Sequence, residues 1–556
     1  MIHHVEVQVL VLLLIASLVG MAARKARVPY TLALVSAGLV LGFVRVEALA
    51  GMELNKDILL LLFLPALLFE AALHIRVGEL RRELVPVLLL ALPGVVVATL
   101  ATAALLWLGL NQTGLAPTFG WSHAFLMASV IAATDPISVL ALFRELGVPQ
   151  RLYLLVEGES LLNDGVAVVV FVIVAAALGI GMEEPGGGIE QGWAGISRFG
   201  LRTFITMAGG GIVVGLVIGG AVSAVTRVID DHLIEVTLTT LVAYGSFLVA
   251  EQFHVSGVLS TVCAGIVMGS FGREYGMSVS TRVAVEDFWE YMAFLANSFI
   301  FLLVGLKLVP GVLLANVGAI AVAFVAVAIG RAVIIYGGLS LAAFFSDPVP
   351  KAWRHVMWWG GLRGSLSMVL VLTLPVGFAG RELLVNLVFG VVAASLFLQG
   401  LTMAPLMRLV GLQSQTRERR EYERGRMLAL ASEQALRQLV ELRIHGLVDD
   451  VAGARLQDHY EARARKGRAN AAIHVDGDEV DEQLVDIHRR LIDAERDALR
   501  EAQHSGVVGA MVGREFAATL DHRANALDHA RHLDEAARNA ALVELLADDE
   551  THGGPG

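Results

Sequence analysis

The chain has 556 residues, 56% of them hydrophobic, with a mean hydropathy of +0.67 and a formal net charge of -11. That hydropathy excludes an ordinary soluble domain, and the negative balance argues against a nucleic-acid partner. The single cysteine, Cys263, excludes an intrachain disulfide. Charges are sparse before Val410 and dense after it, so the net charge describes the tail more than the apolar part.

Apolar runs long enough to cross about 30 Å of hydrocarbon follow one another along the chain. They centre on residues 5–23, 28–47, 57–75, 84–110, 121–143, 152–180, 202–227, 233–252, 255–271, 287–308, 312–345, 354–378 and 383–409. The pattern predicts about thirteen spans, with the eighth and ninth only weakly separated by Glu251-Gln252-Phe253-His254. The first run lacks a basic leader, and Arg24-Lys25-Ala26-Arg27 follows it, so it reads as a retained span rather than a signal peptide. Alternate connections carry Arg24/Lys25/Arg27, Arg76/Arg81/Arg82, Arg144/Arg151, Arg227, Arg273/Arg282 and Lys351/Arg354, then Arg408 and the tail. The opposite connections are poor in Lys and Arg, and one is acidic and glycine-rich (Glu183-Glu184-Pro185-Gly186-Gly187-Gly188). The positive-inside rule then predicts an outside N-terminus and a cytoplasmic C-terminus.

Two spans are interrupted. The fifth contains Thr134-Asp135-Pro136, where proline removes a backbone donor; the twelfth contains Gly360-Gly361-Leu362-Arg363-Gly364, where a helix is least stable. Their separation by seven spans predicts two inverted six-helix repeats about a linking seventh. Discontinuous helices at matching places point to a transport site near mid-bilayer; ordinary kinks are the bland alternative. After Leu412 the composition turns polar. The chain divides into a membrane domain, 1–411, and a mostly helical cytoplasmic tail, 412–556, with amphipathic stripes at Leu428, Ala431, Ala435, Leu436, Leu439, Leu442 and at Leu484, Ile487, Leu491, Ile492, Leu499. Its scattered histidines read as surface residues.

Intramembrane carboxylates are costly and usually mark an ion or proton path. Asp135, Glu157, Glu159 and Asp164 all fall in the fifth and sixth runs. Ser160, Asn163 and Asp164 share one helical face and offer hard oxygen ligands for a small hydrated cation. At 1.5 Å per residue, Asp164 lies about 18–20 Å and Asp135 about 13–14 Å from the cytoplasmic ends of their helices, both near mid-bilayer. The break at Thr134 frees carbonyls to join them. Desolvation and like-charge repulsion raise the proton affinity of a buried carboxyl group, so proton and cation would compete for the same oxygens, and exchange follows from one shared site. A polar network that merely holds helices together is the alternative. Glu159 faces away from Asp164 and needs a partner. Arg331 is assigned to it as a structural ion pair and Arg363 to the unwound crossing, although spacing alone would allow the reverse. Glu70, near the cytoplasmic end of the third span, is either a gate carboxylate or a water-exposed acid.

The segments A-T-D-P, E-S-L-L-N-D, L-P-A-L-L-F-E and G-G-L-R-G resemble the signature motifs of the sodium/proton exchangers, the monovalent cation:proton antiporter branch shared by bacteria and animals. The resemblance covers residues 5–410 and not the tail. It implies an all-α polytopic antiporter fold, a homodimer formed through a scaffold domain, and an elevator-like movement of the broken-helix domain. It further implies a cation site at Thr134, Asp135, Ser160 and Asp164 with Glu70 nearby, and a Glu159–Arg331 pair. Asn163 before Asp164 resembles the electroneutral exchangers. Leu-Pro-Ala in the third span departs from the usual Leu-Pro-Pro. The expected activity is exchange of Na⁺ (or Li⁺) for H⁺ across the plasma membrane, with no cofactor beyond the transported ions. A K⁺/H⁺ antiporter is the near alternative and a tail-gated cation channel a distant one, since no filter sequence is present. A hydrolase is disfavoured because no nucleophile–base pair accompanies the acids.

Overall fold

The computed structural model describes residues 2–26, 28–44, 58–180, 193–229, 231–272, 277–412, 417–444, 450–472 and 520. The acidic connection at 183–188, the tail stripe at 484–499 and the tail histidines other than His459 lie outside the described residues. The chain forms two compact units, Met1–Ser414 and Gln415–Gly556, and among the described residues every regular element is a helix.

In the first unit, eight helices are long and apolar enough to cross a bilayer. They are α1 (Ile2–Ala26), α4 (Leu84–Gln112), α7 (Gln150–Ala177), α8 (Ser197–Thr226), α9 (His232–Gln252), α11 (Val279–Lys307), α12 (Val317–Ala342) and α15 (Arg381–Leu409). Three shorter apolar helices join them: α2 (Tyr30–Val44), α3 (Leu59–His74) and α10 (Gly257–Gly272). The weak separator between α9 and α10 is a true turn. His254 takes a positive φ of 55°, and the Ser256 hydroxyl caps α10 by accepting from the Leu259 N–H.

Two crossings are interrupted. Helix α5 (Trp121–Val130) gives way to α6 (Ile137–Leu146), and α13 (Lys351–Trp359) to α14 (Ser365–Leu372). At the first interruption Pro136 has no N–H to give and disfavours helix at Asp135, while the Asp135 carboxylate restarts the chain by accepting from the Ile137 N–H at 3.0 Å. Pro93, by contrast, stays inside α4, where a wide π turn at Leu90–Gly94 accommodates the missing donor.

Small residues set how closely the helices approach. A Cβ on Gly38 of α2 would fall 2.3 Å from the Leu302 carbonyl of α11, and one on Gly305 would fall 2.3 Å from the Val35 carbonyl. The two backbones therefore touch, as lipid-immersed helices do when no water drives them together. Phe69 of α3 packs on Trp289 of α11 with ring centroids 4.6 Å apart, and the Trp289 indole donates to the Thr239 hydroxyl of α9 at 3.0 Å. Rows of exposed apolar residues, Leu10, Leu14 and Leu18 on α1 and Val213, Leu216 and Val217 on α8, suit a hydrocarbon solvent.

The second unit pairs α16 (Arg417–Ile444) with α17 (Asp450–Ala472), antiparallel. Of the stripe expected on α16, Leu439 is buried and Leu428, Ala435, Leu436 and Leu442 are half-buried, but Ala431 is exposed. Gly467 lies so close to Ala429 and Gly425 that the contact line rotates onto Ala429 and Ser432 instead.

Candidate functional site

The first interruption is stitched to α7 by three polar side chains. The Ser160 hydroxyl donates to the Thr134 carbonyl and accepts from the Thr134 hydroxyl, the latter at 3.3 Å. The Asn163 amide N–H₂ donates to the Ala132 carbonyl at 3.2 Å and to the Thr134 hydroxyl at 3.1 Å. These contacts spend the amide nitrogen on the unwound chain. What remains is a pair of buried acceptors with no donor, Asn163 Oδ1 and Asp164 Oδ1. Buried acceptors are rarely left so, because each costs about 1–3 kcal/mol when nothing donates to it.

The second interruption lies directly against the first. The Asp135 N–H donates to the Leu362 carbonyl at 2.8 Å, and the Arg363 guanidinium donates to the carbonyls of Ala132 (2.9 Å) and Ala133 (3.2 Å). Those carbonyls follow the end of α5, where the last turn of a helix has no backbone donor and carries partial negative charge. The Arg363 N–H in turn donates to the Ser395 hydroxyl at 3.1 Å. There is no room between the two interruptions: a Cβ on Gly364 would lie 2.3 Å from the Asp135 Cβ.

Glu159 is engaged elsewhere. Arg331 of α12 forks onto it with N–O distances of 2.9 and 3.0 Å, and the same guanidinium donates to the Met357 carbonyl at 2.8 Å. A buried carboxylate matched this way is satisfied on both oxygens and has nothing left for a transported ion. A cavity of about 30 Å³ separates the two arginines and is bounded by Glu159, Asn163, Thr99 and Thr102. It has room for about one water.

The structure thus gathers Thr134, Asp135, Ser160, Asn163, Asp164 and Arg363 at one crossing, with Glu159 and Arg331 beside it. Glu70 stands apart. Its carboxylate lies 3.5 Å from the His74 ring, and its charged neighbours are Arg144, Glu157 and Glu290 rather than the two aspartates. Ser395, which receives the Arg363 N–H, went unnoticed in the sequence. It opens a wide turn within α15, and its immediate neighbours, Ala394 and Leu396, are apolar, so no local signal marks it.

The sequence profile of the transmembrane sodium/hydrogen exchangers matches residues 10–409. The Na(+)/H(+) antiporter ApNhaP of Aphanothece halophytica is 40% identical over 412 residues, covering 73% of this chain and 74% of that one. NhaH of Halobacillus dabanensis is 39% identical, over 74% of this chain and 99% of its own. NhaS2 of Synechocystis sp. is 34% identical over 527 residues, 93% of each chain, so this likeness reaches into the tail, which the motifs alone did not indicate. Among solved structures, the sodium proton antiporter MjNhaP1 from Methanocaldococcus jannaschii at pH 8 superposes with a TM-score of 0.56 at 20% identity, over 74% of this chain and 99% of that one, a likeness of fold.

Proposed function

The chain belongs to the sodium/hydrogen exchanger family, and on that premise we propose that it exchanges Na⁺ (or Li⁺) for H⁺ at a single site formed by Asp135 and Asp164. It is a multi-pass membrane transporter and not an enzyme. The observation that carries the proposal is the pair of donorless acceptors, Asn163 Oδ1 and Asp164 Oδ1, beside an unwound segment rich in carbonyls. Such a site is incomplete until something positive enters. A proton on Asp164 and an alkali cation among the oxygens of Asp135, Asp164, Ser160 and Thr134 are alternative ways to complete it.

In this reading the eight long helices, the three short ones and the two interrupted ones make thirteen crossings, arranged as two inverted six-helix repeats about a linking seventh. With the basic connections inside, the N-terminus is external and the tail cytoplasmic. The protein works as a homodimer, one cation for one proton, the segment carrying both interruptions shifting against the remaining helices. Glu70 serves the cytoplasmic mouth, and the tail regulates the whole.

Everted vesicles loaded with a pH-sensitive dye test this reading. Na⁺ and Li⁺ are expected to drive proton movement in the wild type without net current, and Asp164→Asn or Asp135→Asn to abolish it. Na⁺-driven proton movement that persists in either variant overturns the shared site; a wild type driven by K⁺ alone overturns the choice of ion.

A further inference from the structure

Glu157 takes no part in the crossing just described, yet it is only 6% exposed. Its neighbour two residues on, Glu159, is equally buried but silenced by Arg331. Glu157 has no such partner: its one hydrogen bond comes from the Tyr153 hydroxyl at 3.5 Å, at the outer limit of such a contact. The nearest cation, Arg144 of α6, gives its N–H groups to the Tyr153 oxygen instead, at 2.8 and 3.1 Å.

The charged and titratable groups around Glu157 are Glu70 and His74 from α3, Arg144 from α6 and Tyr153 from α7, while Glu290 of α11 acts on Glu70. The acids Glu157, Glu70 and Glu290 outnumber the single arginine. A buried, uncompensated carboxylate is unstable on its own and has to be neutralised by a proton or a cation.

Its place on α7 says where that ion comes from. Positions 153, 157, 160 and 164 step by four, three and four, so Tyr153, Glu157, Ser160 and Asp164 form one polar line along a single helical face. Glu157 sits about 10 Å below Asp164 on that line, toward the end where α7 begins. Resting on the proposed exchange and orientation, we infer that Glu157 is a second ion-holding carboxylate, a stop for Na⁺ or H⁺ between the cytoplasm and the Asp135–Asp164 site. Tyr153, held by Arg144, orients its carboxyl group.

The test uses the full-length protein in everted vesicles, whose outer face is the cytoplasmic one, with initial rates measured over Na⁺ concentration and pH. Glu157→Gln is expected to raise the apparent KM for Na⁺ about tenfold and to displace the pH profile, with Glu157→Asp restoring both and Tyr153→Phe giving a smaller shift in the same direction. An unchanged KM and pH profile in Glu157→Gln, in vesicles whose wild type exchanges Na⁺ for protons, overturns this inference and leaves the exchange reading standing. Should Glu157→Gln fail to accumulate, Tyr153→Phe decides: a wild-type KM and pH profile in that variant overturns it. A wild type that moves no protons with Na⁺ sinks the exchange reading and this one with it.

Discussion

The two interrupted crossings solve the same problem and then diverge. Each leaves helix-terminal carbonyls inside a bilayer that has no water to satisfy them. Each is answered by a buried arginine from another segment: Arg363 on Ala132 and Ala133 after α5, Arg331 on Met357 and Trp358 at the end of α13. Beyond that, the 131–136 segment brings a carboxylate and carbonyls to α7, whereas the 360–364 segment brings glycines and an arginine. One presents acceptors and the other supplies donors and positive charge. The pairing is what allows a carboxylate to sit at an unwound turn beside donorless oxygens without the fold coming apart.

Five changes to the chain break or sharpen that contrast. The largest effect is expected from Glu159→Ala, which strands Arg331 as a buried unpaired charge and should cost about 3–5 kcal/mol of stability, read as a lower melting temperature in detergent. Replacing both partners at once, Glu159→Leu with Arg331→Met, should recover most of the loss. Next comes Gly364→Ala. Its methyl has nowhere to go but into Asp135, so the two interruptions must part, and a displacement on the order of 1 Å should lower the exchange rate about a hundredfold while the protein still folds. A smaller effect, about 1–2 kcal/mol, is expected of Ser395→Ala, which removes the acceptor from the Arg363 N–H and should appear in the same melting measurement. Smallest for folding is removal of residues 415–556. The unit Met1–Ser414 has its own core, so the shortened protein should remain folded and exchange, with an altered dependence of rate on pH.

Much of this was legible in the chain. Proline after Asp135 and three glycines around Arg363 announce interruptions through local backbone chemistry, which needs no knowledge of neighbours. The face shared by Ser160, Asn163 and Asp164 follows from helical spacing alone. Contacts between distant segments were another matter. Glu159 and Arg331 are 172 positions apart, and spacing could not choose between Arg331 and Arg363 for the pair. Nor could it tell that Asn163 would commit its nitrogen to Ala132 and leave its oxygen over. The stripe on α16 misplaced Ala431 because a close glycine contact, not hydropathy, set the rotation of that helix.

The contact between α2 and α11 has a mechanical meaning. With glycine against glycine and carbonyls where methyl groups would be, neither rod can slide or roll along the other without collision. Any displacement during a working cycle must therefore be taken up at looser seams. This fused pair behaves as a single mast, held backbone to backbone.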